Sequence, residues 1–489
     1  MEQKDRSIWY YSFPLLGILF GLWYVRMAFA NVVYSDYIRL VDTYLPDVRN
    51  PEKFLVPDLL TRIPITYLGR ILNTTFFHYS LRFDQALGVL GLGLSGFVLV
   101  SGFRRLRISW PWALGMMVVL FSLNKWEMLL NGSGWPHFWA FAAFYLHYGI
   151  LDRIWTGQEK SYDRLLNLLL PSLTILLTAG PYGMSYAAVL ILAYAGIGWA
   201  QKTDRRGCRS FTGRQLTAGL FGVLIPLGLY LLSNHFAVED HDGAVSGGMA
   251  AMLRQLLETP TFFVRFFLKS LSSMAVSQEF AELHFLHNAP WFVLGGIVGL
   301  SYLLALFLYW KNGMYRRTLL PLLFMLAGGI NHVLVLIARW VFLREDYGIS
   351  SRYALQYQIG ILGVLLVFAL LGSGEKTEAA EQSRADNEVG QGLTHSGSRV
   401  LLRLLTGALL VFFLVGNLLS TQRELEIAPY RRVLCEERAA IALDFENRSD
   451  EELQGAFEYR TSRPETGPKV RRVLTILKEN NWNVFYVPR

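Results

Sequence analysis

The sequence predicts an all-α, polytopic membrane protein, and three observations predict it. Of 489 residues 53% are hydrophobic and only 17% charged, a balance that argues against a string of soluble domains. Apolar runs of about twenty residues, the length that crosses a bilayer core, recur along the chain. Loops rich in Lys and Arg alternate with loops nearly free of them, as the positive-inside rule requires. The net charge of +8 is therefore read as topology. No zinc-finger, Walker-type or other nucleic-acid or nucleotide motif accompanies it.

Eleven spans are predicted, near residues 8–30, 84–103, 109–124, 135–152, 165–179, 182–200, 215–233, 290–310, 318–342, 356–372 and 400–420. The first begins after Lys4 and Arg6 and is longer than a signal-peptide core, so it is expected to stay uncleaved. The intervening basic loops carry Arg104, Arg105 and Arg107; Arg153, Lys160 and Arg164; Lys202 to Arg214; and Lys311, Arg316 and Arg317. Pro181-Tyr182-Gly183, on the other side, has no basic residue, and 124–134 has only Lys125. These assignments put the N-terminus inside and the C-terminus outside. Cys208 and Cys435 then fall on opposite sides and are not expected to pair.

Residues 1–420 form the expected transmembrane domain, with outer segments at 31–83, 124–134, 234–288 and 343–356. The first and third outer segments carry mixed apolar and charged spacing, which predicts amphipathic helices lying along the membrane face. Residues 373–398, rich in Glu, Gln, Ser, Gly and Ala without apolar periodicity, read as a disordered cytoplasmic linker. Residues 421–489 form an outer tail, with helices expected over Leu434–Phe445 and Val470–Leu477 and a short strand at Val484–Val487. About seventy residues make a marginal independent domain, so the tail is expected to dock on the membrane part.

Candidate functional residues come from the outer segments. Asp36 follows the first span by about two turns, where a carboxylate can take the proton of an attacking hydroxyl. It can equally open a helix over Tyr37–Tyr44, and Asp42 and Asp47 follow it. Arg352 and Tyr353 stand just before span ten, with Arg344 in the same loop. An arginine fork there suits two oxygens of a lipid phosphate, although Arg and Tyr are also ordinary interfacial anchors. Glu127 precedes Asn131-Gly132-Ser133-Gly134-Trp135-Pro136-His137, where glycines permit close backbone approach, Trp135 can stack on a sugar and His137 can donate to a hydroxyl. The alternative is a tight turn with an interfacial Trp. Glu239, Asp240, His241 and Asp242 form an isolated acidic cluster without a second matched group of metal ligands. Arg26, Asn331, His332 and Arg339 lie in or at the ends of spans, either lining a polar groove or bonding within the bundle.

Taken together, the architecture and Asp36 resemble the GT-C superfamily of integral-membrane glycosyltransferases, in particular bacterial members that use polyprenyl-phosphate sugars. The likeness covers most of the chain. It rests on an acidic residue in the first outer loop, here Asp36 with Asp42 as a second, followed by Tyr37 where the family more often has an adjacent acid. It implies a plasma-membrane enzyme with an extracytoplasmic active site, a polyprenyl-phosphate-linked sugar donor and a glycan or lipid-linked acceptor. Transfer would be a single inverting displacement with Asp36 as base. Arg352, assisted by Arg344 and Tyr353, would stabilise the departing phosphate, while Glu127, Asn131, Trp135 and His137 would bind substrate. Phosphate leaves readily, so a divalent cation is optional. An O-antigen-type polymerase or ligase would rely on several arginines more than on one aspartate. A lipid or glycan transporter would carry mid-span charges and internal repeats, of which the sequence shows few. A non-enzymatic scaffold role would require neither.

Overall fold

The computed structural model describes residues 9–56, 62–203, 211–235, 248–385, 396–459 and 466–487. The chain begins with α1 (Trp9–Ala28), then the first loop with α2 (Asp36–Tyr44) and α3 (Ile65–Phe76). Helices α4 (Leu81–Arg105), α5 (Trp110–Phe121), α6 (Trp126–Leu130) and α7 (Trp135–Trp155) follow. After them come α8 (Asp163–Leu173), α9 (Gly183–Thr203) and α10 (Gly213–His235). The third loop holds α11 (Met249–Glu258), α12 (Pro260–Ser272) and α13 (Gln278–His284), leading to α14 (Ala289–Lys311) and α15 (Leu320–Arg339). The chain finishes with α16 (Ala354–Ala385), α17 (Ser396–Leu443), α18 (Asp450–Ala456) and α19 (Thr466–Glu479).

Among the described residues nine helices are long and apolar enough to cross a membrane. The two further expected spans coincide with α7 and α8. Helix α7 has 21 residues, but His147, Asp152 and Arg153 dilute its apolar character. Helix α8 continues only through a π-turn at Thr174–Thr178, which leaves it short for a bilayer-crossing helix. The stretch Ser351–Leu371 is 94% buried and forms the axis of the bundle, whereas Gly213–Asn234 is 22% buried and lies at its edge. Exposed Leu15, Leu19, Leu229, Leu300 and Phe307 on the outer helices form the apolar surface that lipid would cover. Close helix contact comes from small residues. A Cβ on Gly328 of α15 would meet the Gly360 Cα of α16 at 2.4 Å, so these two backbones touch at a glycine pair.

The basic loops gather at one end of the bundle. Arg105 pairs with Asp152, which also accepts from Thr318 Oγ1 at 3.0 Å, and Trp155 Nε1 donates to the Tyr315 carbonyl at 2.7 Å. Arg153 pairs with Asp163 at 2.6 Å. At the other end Lys269 ties the third outer segment to the fourth through Asp346 at 2.8 Å and Glu345 at 3.3 Å.

Three expectations are corrected. Residues 373–385 continue α16 as helix, and α17 begins at Ser396, so only 386–395 of the expected linker lies outside the described residues. The last span and the first tail helix are one 48-residue helix, α17. Val484–Val487 is not a strand: a 3₁₀ turn covers Asn483–Phe485. Among the described residues no strand pairs with it, and local turns take the backbone instead: Phe485 N donates to the Trp482 carbonyl at 3.1 Å and Tyr486 N to the Asn483 carbonyl at 3.2 Å. The tail docks on the first loop. Asn483 N donates to the His78 carbonyl at 2.8 Å, Asn483 Nδ2 to the Tyr79 carbonyl at 2.9 Å, and Asn483 Oδ1 accepts from Val33 N at 3.2 Å. His78 and Tyr486 stack with ring centroids 3.7 Å apart.

A candidate active site built from four outer segments

Residues from the first, second and fourth outer segments, and from the turn at Pro181–Tyr182, converge on a cavity of about 230 Å³. Asp36, Glu127, Asn131, Trp135, His137, Arg352 and Tyr353 all line it. Asp42 and Arg344 do not. Asp42 pairs with Arg472 at 2.6 Å and Lys469 at 3.3 Å on the tail. Arg344 is exposed, over the ring of Tyr347. Asp47 lines a separate cleft shared with Asn480 and Trp482 of the tail. The cluster Glu239 to Asp242 falls outside the described residues.

Asp36 is the first residue of α2, so the helix-opening reading and the cavity-lining reading hold together. The side chain is about one-third exposed. Asn131 Nδ2 donates to Oδ2 at 3.1 Å and Arg39 Nη1 lies 3.5 Å from Oδ1. A carboxylate has about four acceptor sites, so this one is oriented yet retains lone pairs for an incoming proton. Asn131 is itself aimed by its neighbour: its Oδ1 accepts from Ser133 Oγ at 2.7 Å. The residue before Asp36 is held in an uncommon conformation. Ser35 has φ 51° and ψ −123°, and its N–H is clamped by the Phe457 carbonyl of the tail at 2.8 Å. The tail thereby fixes the start of α2.

Arg352 pairs with Glu127, whose Oε2 also accepts from Ser351 Oγ at 3.1 Å. Arg339, at the end of α15, is the second cation beside it. Among the described residues Arg339 makes no ion pair; its guanidinium lies 5.6 Å from the Tyr353 ring centroid. The ring of His137 sits edge-on to Tyr182 at 4.4 Å, and its buried Nδ1 makes no hydrogen bond. Trp135 is 8% exposed, with its ring edge against Gly69 of α3, which leaves little ring face for a sugar.

Several cavity residues escaped the sequence reading. Asp84, in the first turn of α4, is buried and accepts from Tyr37 Oη at 2.7 Å and Asn73 Nδ2 at 3.1 Å. Burial and the neighbouring Asp84 carboxylate push the Tyr37 phenol well above its ordinary range, so it remains the proton donor of this pair. Gly132 packs onto the same pair. A Cβ there would meet Tyr37 Oη at 2.5 Å, so the close approach that glycine permits is to protein. Arg70 of α3 lies over the Tyr44 ring at 3.9 Å, and Arg39 and Tyr182 complete the polar lining. A carboxylate at the head of an apolar run is the signal that could have found Asp84. Tyr182 lay in the uncharged turn between spans five and six.

Of the four span residues, Arg339 lines the cavity. Asn331 donates to the Gln356 carbonyl at 3.1 Å, and His332 contacts Ser270 at 2.9 Å and stacks on Tyr357, so both serve the bundle. Arg26 is exposed. A second, smaller cavity of about 100 Å³ adjoins the first. It shares Glu127, Asn131 and Arg352 and is closed by Arg431, Cys435 and Arg438 of α17. Among the described residues no three His, Cys, Asp or Glu side chains gather closely enough to hold a metal ion. Compared with protein-family models, with curated proteins and with solved structures, the chain matches none.

Proposed function

We propose that the chain is a GT-C-type membrane glycosyltransferase that moves a sugar from a polyprenyl-phosphate donor to a glycan or lipid-linked acceptor. The proposal includes eleven spans with the N-terminus inside, a bacterial plasma membrane and an active site on the extracytoplasmic face. One observation carries it: the Asp36 carboxylate shares a single cavity with the guanidinium groups of Arg352 and Arg339, contributed by segments some three hundred residues away. A base and a phosphate-stabilising pair are what the displacement needs.

In the proposed reaction the acceptor oxygen forms a bond to the anomeric carbon as its proton passes to Asp36. The bond from that carbon to the donor phosphate oxygen breaks, its electron pair stays on the phosphate, and the anomeric centre inverts. Polyprenyl phosphate leaves, with Arg352 and Arg339 offsetting the charge that builds on its oxygens. Asn131 holds Asp36 in position, and Glu127 holds Arg352.

A second reading has its own support. Four arginines, Arg39, Arg70, Arg339 and Arg352, line the cavity, and an O-antigen-type polymerase or ligase acting on a pyrophosphate-linked donor would use several. Profiling lipid-linked sugars and surface glycans in a deletion strain identifies the donor class. Complementation then tests the mechanism. Asp36→Asn is expected to lower transfer in membranes about 10²- to 10⁴-fold. Arg352→Ala is expected to lower it about 10²- to 10³-fold. Transfer intact in both variants overturns the proposal, and accumulation of a pyrophosphate-linked glycan favours the second reading.

A further inference from the structure

At the basic end of the bundle, between α4, α7, α8, α15 and α16, lies a lateral cavity of about 530 Å³. It is separate from the Asp36 cavity. Helix α7 has Trp135 and His137 in that cavity and Arg153 in this one, and its 21 residues rise about 30 Å, one hydrocarbon thickness.

We infer that this lateral cavity binds one anionic phospholipid, with its phosphate at Lys160 and Arg153 and an acyl chain along the apolar wall. The wall is built by Phe97, Leu99, Leu146, Phe324 and Leu366. Leu146 and Ser101 are exposed at its edge, so the cavity opens sideways toward lipid. The rim carries Arg105, Arg153 and Lys160, and no carboxylate lines the cavity. Asp152 and Asp163 offset the two arginines from behind. Lys160 has no ion pair among the described residues. Its backbone N–H is fixed to Asp163 Oδ2 at 2.9 Å, so the exposed ammonium is carried on a held loop.

A second observation points to a ligand with polar and apolar parts. Tyr145 is 2% exposed and lines the cavity, yet among the described residues its hydroxyl has no hydrogen-bond partner. A buried hydroxyl without a partner is costly. Tyr145 lies two turns along α7 from Arg153, but Arg153 Nη1 reaches back to 3.9 Å from a Cβ on Gly149, one turn and about 6 Å from Tyr145, so the ester region of a lipid whose phosphate sits at that guanidinium can supply an acceptor. Inorganic phosphate would satisfy the rim but not the apolar wall or Tyr145. Basic pockets between membrane helices are suited to acidic headgroups, and each such cation contributes about fivefold in affinity.

The test uses the full purified chain and native mass spectrometry, with phosphatidylglycerol and phosphatidylcholine of matched acyl chains. The parent should retain phosphatidylglycerol about fivefold over phosphatidylcholine, undiminished by millimolar inorganic phosphate. Lys160→Gln should bring the two lipids to near parity. Gly149→Leu should lower retention of both; a Cβ there meets only Arg153 Nη1, at 3.9 Å, so the helix accepts the change while the side chain fills the cavity. Lys311→Gln, a basic-end change outside the cavity, should keep the parental preference. That combined pattern supports the site, and any other overturns it, including equal retention of the two lipids by the parent or an equal loss in Lys311→Gln.

Discussion

Asp36 and Asp84 line the same cavity, but their surroundings ask different things of them. Asp36 is partly exposed and accepts one good hydrogen bond, from Asn131, so its carboxylate can be replaced by an amide with little cost to the fold. Asp84 is buried and is the acceptor for Tyr37 and Asn73, two buried donors. Asp84→Ala leaves the Tyr37 hydroxyl unsatisfied, at about 1–3 kcal/mol, while Asn73 Nδ2 loses one of two acceptors and keeps the Ser80 carbonyl at 3.0 Å. A clear fall in the thermal midpoint of the detergent-solubilised protein is therefore expected for Asp84→Ala, and little change for Asp36→Asn. The reverse order would show that Asp36 is the structural carboxylate. Asp36 and Arg352 were legible in the sequence because each is a charged residue beside an apolar run. Asp84 was hidden because it opens such a run and was counted as part of the span.

Helices follow from composition, while the way loops meet does not. The apolar runs predict where helices lie because helices satisfy their own backbone within lipid. No local pattern announces that Glu127 pairs with Arg352, 225 positions later, or that Phe457 holds Ser35. The tail shows the same division. Its helices are readable from 3.6-residue spacing, but the segment after α19 is shaped by hydrogen bonds to His78 and Tyr79 that only the folded chain supplies. Docking of the tail then rests on two kinds of contact of unequal strength. The pair Arg472–Asp42 has an arginine more than half exposed and contributes about 0–1 kcal/mol. Asn483 is 5% exposed and its side chain joins two backbone groups, the Val33 N–H and the Tyr79 carbonyl, so Asn483→Ala costs about 1–3 kcal/mol. Limited proteolysis should therefore clip the tail of Asn483→Ala sooner than that of the parent, with Asp42→Ala close to the parent. A tail released by Asp42→Ala and not by Asn483→Ala would mean that the ion pair carries the docking.

On the scale of the whole molecule, two polar ends are separated by an apolar middle. Helix α4 runs from Asp84 in the candidate site to Arg105 at the basic end, and α7 from Trp135 to Arg153, each rising about 30 Å. The basic loops are joined to one another by Asp152 and the Trp155–Tyr315 bond, and the acidic and aromatic loops by the Glu127–Arg352 pair and the tail. A bilayer placed across the apolar middle must therefore put Asn50 and Gln158 on opposite sides, whichever way the protein faces. The positive-inside rule predicts the direction, with Gln158 in the cytoplasm. Single cysteines at these two positions, Asn50 half-buried and Gln158 exposed, in a chain with Cys208 and Cys435 replaced by Ser, test both statements with a membrane-impermeant maleimide. Asn50→Cys should react in intact spheroplasts, and Gln158→Cys only after the membrane is permeabilised. Labelling of both in intact spheroplasts overturns the two-ended bundle. The opposite pattern retains the bundle but reverses its orientation, and with it removes the extracytoplasmic site.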